Sequence, residues 1–191
     1  MKKIPTLFER TFENHNVVNI TDKVHEGMEW VLEGEGVATV KFDGACCAII
    51  EGLFYKRYDA KRGKKPPEGA IPCCDPDPVT GHHPHWVEVD CQKPEDKWFV
   101  RAYLNAPPVY WKSTYCTFEA IGEHFNGNPQ NVIGDNLIKH GSIVVEVKRS
   151  FEGIKKFLEE NYIEGLVFWK DGEPQCKIKR SDFGFEWGNK R

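Results

Sequence analysis

Short apolar segments rich in β-branched and aromatic residues, separated by glycine and other turn residues, dominate the first half of the chain. Segments of this kind predict β-strands. The predicted strands are VATVKFD at 37–43, CCAIIEG at 46–52, LFYKRYD at 53–59, WVEVD at 86–90 and KWFVRAY at 97–103. The dipeptide Glu51-Gly52, which lies between the second and the third of them, predicts a tight hairpin turn.

The second half of the chain adds further strands. The patterns predict TYCTFEAIG at 114–122 and SIVVEV at 142–147 as strands, GNPQNVIGDN at 127–136 as a loop, and residues 164–183 as a closing hairpin around Asp171-Gly172. Taken with the helix described next, these elements predict an α+β fold with mainly antiparallel sheet.

One helix is predicted between the last two of these strand regions. Phe151, Ile154 and Leu158 recur at helical spacing, so we expect a helix over 151–161. Ser150 precedes the first of them and is expected to be the N-cap.

The length of 191 residues is enough for one hydrophobic core, so we expect a single domain over residues 1–191. Residues 63–85 hold much of the proline, which removes backbone donors from helices and sheets. We therefore expect an ordered loop or a small inserted subdomain at about 63–91.

The composition and the net charge of the chain restrict its expected cellular location and the classes of partner that it is expected to bind. No apolar run approaches the length of a membrane helix, and the amino terminus becomes charged before a signal peptide can form, so we expect neither a membrane span nor secretion. The seven cysteines are an odd number and include two adjacent pairs, which disfavours a disulfide framework and favours a cytoplasmic location. The net charge of −3 argues against a general nucleic-acid coat protein. The segment KRYDAKRGKK at 56–65 nevertheless predicts a local basic patch for phosphate.

Lys41-Phe42-Asp43-Gly44, at the end of a predicted strand, is the first candidate for chemistry. A lysine amine attacks only when it is unprotonated, so a nucleophilic lysine needs its pKa lowered by desolvation or by nearby positive charge. The alternative is a strand end that runs into an Asp-Gly turn with a solvated lysine.

Two further elements bear on this choice. Alternation along a strand places Lys177 and Lys179 on one face, where two ammonium groups can bind a polyphosphate. Glu164 opens the segment Glu-Gly-Leu-Val, and Glu119 lies among apolar neighbours on a predicted strand. Each of these features taken alone is also typical of a solvated strand surface.

The order of these motifs resembles that of the covalent nucleotidyltransferases, which include RNA ligases, DNA ligases and mRNA capping enzymes. Longer segments are similar to one family in particular, the small ATP-dependent RNA ligases of bacteria, viruses and animals, whose human member is a 5'-to-3' RNA ligase. The similarity extends from about Pro5 to Trp187 and includes GEGVATVKFDGACC, LFYKRYDAKRGKKPP, DPDPVTGHHPHWVEV and IEGLVFWKDGEPQCKIKRSDFGFEW. It implies the nucleotidyltransferase fold. Since only about a dozen residues follow Lys179, we expect no OB domain there.

The resemblance implies a nucleophile and its loop. Lys41 is expected to attack the α-phosphorus of ATP, to release pyrophosphate and to hold AMP through a phosphoamide bond. Asp43 and Gly44 are expected to shape the nucleotide-binding loop, and Arg57 to contact the nucleotide and later the RNA 5'-phosphate.

The resemblance also implies roles for residues on the other predicted strands. Glu119 and Glu164 are expected to bind the ribose or to help to hold the metal, which is Mg²⁺ or Mn²⁺, and Lys177 and Lys179 are expected to neutralise the α-phosphate. Since SIVVEV stands where the superfamily usually has an aromatic on adenine, Ile143 or Val145 is expected to provide an apolar wall.

The implied reaction is RNA ligation in three steps. Lysyl-AMP forms, AMP passes to an RNA 5'-phosphate, and a 3'-hydroxyl attacks that phosphate while AMP leaves. Residues expected to bind RNA are Arg57, Lys61, Arg62, His82 and Arg180. The RNA substrate stays open among nicked, single-stranded and cleaved tRNA ends, and RNA repair is expected only by analogy.

The loop at 63–91 leaves two interpretations open. Its set of Cys73, Cys74, His82, His83, His85 and Cys91 suits zinc in composition, although not in spacing. The alternative is that Trp86 and one histidine anchor the loop to the core. Other functions that the motifs permit are a DNA ligase or capping-type core, and a non-catalytic RNA- or zinc-binding module.

Overall fold

A computed structural model describes the backbone of residues 3–13, 16–61 and 63–188, and the side chains of these residues except 12, 13 and 16–19. Two compact units make up the chain: a central unit of Asp43–His140, and a terminal unit of Ile4–Phe42 and Gly141–Arg191. The prediction of one domain over residues 1–191 concerns folding as a unit and stays a prediction. Arg62 lies outside the described residues.

The described residues form eleven strands and two α-helices. The elements are β1 (Phe8–Glu13), β2 (Asn16–Val24), β3 (Val37–Lys41), β4 (Ala45–Ile50), β5 (Leu53–Ala60), β6 (Ile71–Pro72), β7 (His83–Glu88), α1 (Lys97–Asn105), β8 (Tyr115–Gly122), β9 (Asp135–Lys139), α2 (Phe151–Glu160), β10 (Gly165–Lys170) and β11 (Glu173–Lys179). All pairings between these strands are antiparallel, so the predicted α+β class with mainly antiparallel sheet is confirmed. Neither helix of the described residues has the length and apolar character needed to cross a membrane.

The terminal unit contains a three-stranded sheet, in the order β11-β10-β3, and the β1-β2 ribbon. Its core includes the fully buried side chains Leu7, Phe8, Val31, Ile154, Leu158, Leu166, Phe168 and Ile178. Ile154 and Leu158 come from α2, so the apolar face of this helix is buried in the core, as the spacing of these residues predicts.

The central unit is built on a six-stranded sheet in the order β6-β7-β5-β4-β8-β9. Strands β4 and β8 each contribute two residues that are two apart to one core, Cys47 and Ile49 from β4 and Phe118 and Ala120 from β8, and α1 contributes Ala102 to the same core. Its buried apolar side chains include Cys47, Ile49, Phe54, Ala102, Ala106, Phe118, Ala120, Phe125 and Leu137.

Both predicted hairpins and the predicted helix cap are confirmed. Ile50 pairs with Leu53, and Lys170 pairs with Glu173, so each hairpin closes through two residues with positive φ. At α2, the Gly153 amide donates a hydrogen bond to the Ser150 hydroxyl over 3.1 Å.

The strand predicted at 97–103 is wrong, because Lys97–Asn105 is the helix α1. Its aromatic and β-branched composition favours a strand, but Ala102 and Ala106 are the positions that become buried, four residues apart. Helical burial of these small residues outweighs the local strand preference.

The strand predicted at 142–147 is also wrong. This segment has one isolated bridge, Thr39 to Val144, and two backbone bonds to β3. Val145 and Val147 pack on the core, but Ile143 and Val144 are 45% and 57% exposed, and the segment's pairing with β3 does not extend beyond this bridge. Strands β1 and β2 were not predicted, and the predicted loop at 127–136 overlaps the first residues of β9.

The loop at 63–91 is ordered by pairing. Ile71 pairs with Trp86, and Pro72 pairs with His85. Trp86 and His85 are 2% and 4% exposed. They therefore anchor the loop to the sheet of the central unit, as one of the two interpretations predicts.

Replacement of Gly165 by alanine tests how closely β10 and β11 approach. An added Cβ would lie 2.1 Å from the Ile178 carbonyl oxygen, which is backbone and has to shift. We expect Gly165→Ala to lower the free energy of unfolding by about 2–3 kcal/mol in urea denaturation. Gly172→Ala is the control, because its Cβ meets open space and only its positive φ costs about 1 kcal/mol. Equal losses for the two variants would contradict the close approach.

Candidate active site

Sheet register brings the predicted lysines together in the terminal unit. Gly165 pairs with Lys41 on one side and with Lys179 on the other. Val167, one step further along β10, pairs with Lys177 and with Thr39. Since cross-strand partners share a face of the sheet, Lys41, Lys177 and Lys179 project from the same face.

Glu164 joins two of these lysines. Its side chain is 4% exposed and contacts Lys41 Nζ through Oε2 at 2.5 Å and Lys179 Nζ through Oε1 at 2.7 Å. Both amino groups donate to the buried carboxylate, so each carboxylate oxygen has a charged partner. Two amines bind this carboxylate, and the amine of Lys177 lies near enough to feel both of their charges, so the cluster is suited to an anionic ligand.

The pKa of the Lys177 amine is lowered in this cluster. Burial lowers its pKa to about 8, and the nearby positive charges of Lys41, Lys179 and Arg10 act in the same direction. A binding anion would offset both effects, because it restores a favourable environment for the ammonium form.

Arg10 and Asp182 support this face and were not predicted from the sequence. Asp182 Oδ1 accepts from Arg10 Nη2 at 2.5 Å, and Asp182 Oδ2 accepts from the Lys179 backbone amide at 2.8 Å. The carboxylate therefore fixes the last residue of β11. Its sequence signal is an acidic residue three positions after a strand end, which is typical of a cap.

Gly44 and Glu119 lie together in the central unit. The Gly44 amide donates to Glu119 Oε1 over 3.1 Å. A Cβ at residue 44 would lie 2.1 Å from the Ala120 carbonyl oxygen, so only glycine permits this approach to β8. This close backbone approach explains why the Lys-x-Asp-Gly motif of this chain ends in glycine.

Asp43 is held by the loop before β9. Asn126 Nδ2 donates to Asp43 Oδ1 at 2.8 Å and to the Gly44 carbonyl at 2.7 Å. Gln130 Nε2 donates to the Asp43 carbonyl at 3.0 Å. Asn126 and Gln130 were not predicted as site residues.

Glu119 has a second partner that the sequence did not indicate. Its Oε2 lies 2.9 Å from His140 Nε2, and the other ring nitrogen of His140 lies 3.0 Å from Thr117 Oγ1. Cys46 is close to both side chains. Burial raises the pKa of the Cys46 thiol to about 12, against the lowering effect of the Arg57 charge.

Two of the predicted RNA-binding residues, Arg57 and His82, lie at Asp59 in the central unit. Arg57 Nε contacts Asp59 Oδ1 at 3.0 Å, and His82 Nε2 lies 3.7 Å from the same oxygen. Lys61 is exposed. Asp59 therefore brings Arg57 and His82 together at the surface of this unit.

Arg180 binds the end of α2 in the terminal unit. Its guanidinium donates to the carbonyls of Leu158, Asn161 and Glu186, the last over 2.8 Å. The role of Arg180 in RNA binding stays a prediction. Val145 packs on the core of the same unit, whereas Ile143 is 45% exposed, and the adenine wall also stays a prediction.

Neither a scan against protein-family models nor a search of curated proteins finds a match for this chain. The assignment of a function therefore depends on the residues themselves.

Sulfate binding tests the lowered pKa of Lys177. A group of pKa about 8 is about nine-tenths protonated one pH unit below that value and about one-tenth protonated one unit above it. Since sulfate keeps its charge in this range, we expect its affinity to fall roughly tenfold from about pH 7 to about pH 9, measured by calorimetry. Lys177→Arg keeps its charge and is expected to show no such fall. A fall of the same size in Lys177→Arg would contradict the assignment.

Proposed function

We propose that this protein is an ATP-dependent RNA ligase that joins RNA 5'-phosphate and 3'-hydroxyl ends through a covalent lysyl-AMP intermediate, on a nucleotidyltransferase fold. The observation that carries the proposal is the cluster of Lys41, Lys177 and Lys179 around the buried Glu164. A solvated strand face, the alternative for each lysine taken alone, does not account for a buried carboxylate that binds two amines.

In the first step, Lys41 Nζ attacks the α-phosphorus of ATP, and the protons that the amine gives up pass to solvent. The new N–P bond replaces the bond from the α-phosphorus to the bridging oxygen, and pyrophosphate leaves with that oxygen. Glu164 orients Nζ from 2.5 Å before the attack. The position of the amine is thus set by a buried partner and not by a flexible side chain alone.

Lys177 and Lys179 act by electrostatics. They stand on the face from which Lys41 projects, so their ammonium groups meet negative charge that develops at the α-phosphate. Burial and the neighbouring positive charges that lower the pKa of Lys177 both favour binding of an anion at this face. The phosphates of ATP would supply that negative charge.

The later steps use the same lysyl-AMP. AMP passes to the RNA 5'-phosphate, and the 3'-hydroxyl then attacks this phosphate and releases AMP. Arg57, Lys61, Arg62, His82 and Arg180 are proposed to bind the RNA, and binding would weaken as salt concentration rises.

Mg²⁺ is the proposed metal, and carboxylates suit it. Mg²⁺ in nucleotide sites is usually held by one or two carboxylates together with substrate phosphates. Glu164 in the terminal unit and Glu119 in the central unit each offer a carboxylate with further acceptor capacity. The ion would neutralise the triphosphate and assist departure of pyrophosphate.

Incubation with ATP labelled on the α-phosphate, followed by a denaturing gel, tests the covalent step. We expect label on the native chain, none on Lys41→Ala, and native labelling for Lys156→Ala, an exposed lysine on α2. Label that persists on Lys41→Ala would remove Lys41 as the nucleophile. Absence of label on the native chain with every nucleotide and metal would favour a non-catalytic binding module, and label from GTP alone would favour a capping-type enzyme.

Alanine at Lys177 or Lys179 tests the phosphate role. We expect either variant to form lysyl-AMP more slowly by about 100-fold or more, since one charged transition-state contact is worth several kcal/mol in a dry site. Rates are measured in single-turnover labelling, and circular dichroism checks the fold. A native rate in either variant would exclude that lysine from the transition state.

A further inference from the structure

A group of three potential metal ligands lies on one face of the central sheet. Cys46 on β4 pairs with Glu119 on β8, and Glu119 pairs with Ile138 on β9, two residues before His140. His140 directly follows the last residue of β9, and its backbone amide donates to the Thr117 carbonyl on β8 over 3.1 Å, so its imidazole lies on the side of Glu119. The Sγ, carboxylate and imidazole atoms of the three residues all lie within 4.8 Å of one another, and among the described residues only this group meets that condition.

Hydrogen bonds already orient two of these ligands. The Gly44 amide binds Glu119 Oε1 at 3.1 Å, and Thr117 Oγ1 lies 3.0 Å from His140 Nδ1. Glu119 Oε2 and His140 Nε2 are left to face each other at 2.9 Å. Outer contacts of this kind fix the rotamer of a carboxylate and the tautomer of an imidazole in metal sites.

We propose that Cys46, Glu119 and His140 bind one Zn²⁺ ion. Thiolate, imidazole and carboxylate are the ligands that zinc takes in proteins, whereas Mg²⁺ takes oxygen ligands. Tetrahedral geometry with ordinary zinc bond lengths places neighbouring ligand atoms about 3.3–3.6 Å apart, so the imidazole and the carboxylate need to separate by only a few tenths of an ångström. Three protein ligands leave the fourth position open to water or to a ligand oxygen.

The charges of the three ligands are consistent with the binding of one Zn²⁺ ion. When Zn²⁺ binds, the Cys46 thiol releases its proton to solvent, and one thiolate and one carboxylate then neutralise the two charges of the metal. The guanidinium of Arg57, which is the nearby cation, has its own carboxylate partner in Asp59 at 3.0 Å.

Zinc at this position has a consequence that rests on the proposed function. Glu119 is one of the residues proposed to bind the nucleotide or Mg²⁺, and a zinc-bound Glu119 is no longer available for either role. We therefore expect micromolar zinc to inhibit lysyl-AMP formation, and a chelator to restore it.

Metal titration of the full-length, chelator-treated protein tests the site without reference to activity. We expect one equivalent of Zn²⁺ to bind in competition with a chromophoric chelator. We also expect one equivalent of Co²⁺ to give a thiolate-to-cobalt charge-transfer band and a visible band typical of tetrahedral geometry. Cys46→Ser is expected to lose the charge-transfer band, and His140→Gln to weaken zinc binding by about 100-fold or more. Thr117→Val removes only an outer contact and is expected to weaken zinc binding by about 10-fold.

Cys91→Ser is the matched control, because Cys91 is an exposed cysteine in the loop at 63–91. It is expected to bind zinc as the native chain does. Absence of stoichiometric zinc in the native chain, native binding by Cys46→Ser, or loss of binding in Cys91→Ser would each overturn the proposal. Since these readouts are spectroscopic, a chain that binds zinc but forms no lysyl-AMP would contradict the proposed function and leave the zinc site standing.

Discussion

The buried carboxylate of Glu164 is the contact on which the terminal unit's chemistry depends. It binds the amines of Lys41 and Lys179, which come from strands on opposite sides of β10. Two strand spacings of about 4.8 Å separate these backbones, yet both amines converge on one group. Removing the carboxylate would take a buried anionic partner from two amines on a partly buried face, which is more costly than losing an exposed ion pair.

Glycine permits the backbone approach in both units. Gly165 allows β10 and β11 to come close beside the amines, and Gly44 allows the chain after Lys41 to approach β8. In each case an added Cβ would meet a carbonyl oxygen at 2.1 Å. The glycines of the two motifs are therefore constrained by close backbone packing, which separates them from turn glycines such as Gly172 that have open space around them.

The features that the sequence predicted correctly depend on residues that are adjacent along the chain. Glu51-Gly52 and Asp171-Gly172 close hairpins because their local conformations suit such turns, and Ser150 caps α2 for the same kind of reason. Lys97–Asn105 was mistaken for a strand because its composition favours one, whereas its helical burial depends on the sheet that it covers. The segment at 142–147 was mistaken because a strand also needs partners, which local composition does not reveal.

The candidate sites show the same limit. Motif order indicated Lys41, Glu164, Lys177 and Lys179, but only the register shows that Gly165 pairs with two of the lysines. His140 carries no motif, and its relation to Glu119 arises from pairing between β8 and β9. Asn126 and Gln130 likewise gain their role from a loop that returns to Asp43. Long-range pairing therefore decides the parts of the sites that local patterns leave open.

Hydrogen bonds from Arg180 connect the end of α2 to the chain segment that carries Lys179. The last carbonyls of a helix have no partner within the helix, and Arg180 binds two carbonyls at this end, those of Leu158 and Asn161. The residue before it in the chain is Lys179, whose amine binds Glu164. When the last turn of α2 frays, Arg180 loses these two contacts and the neighbouring Lys179 becomes less well held. The free energy of opening this helix end therefore sets how often the Lys179 amine leaves its position beside Glu164.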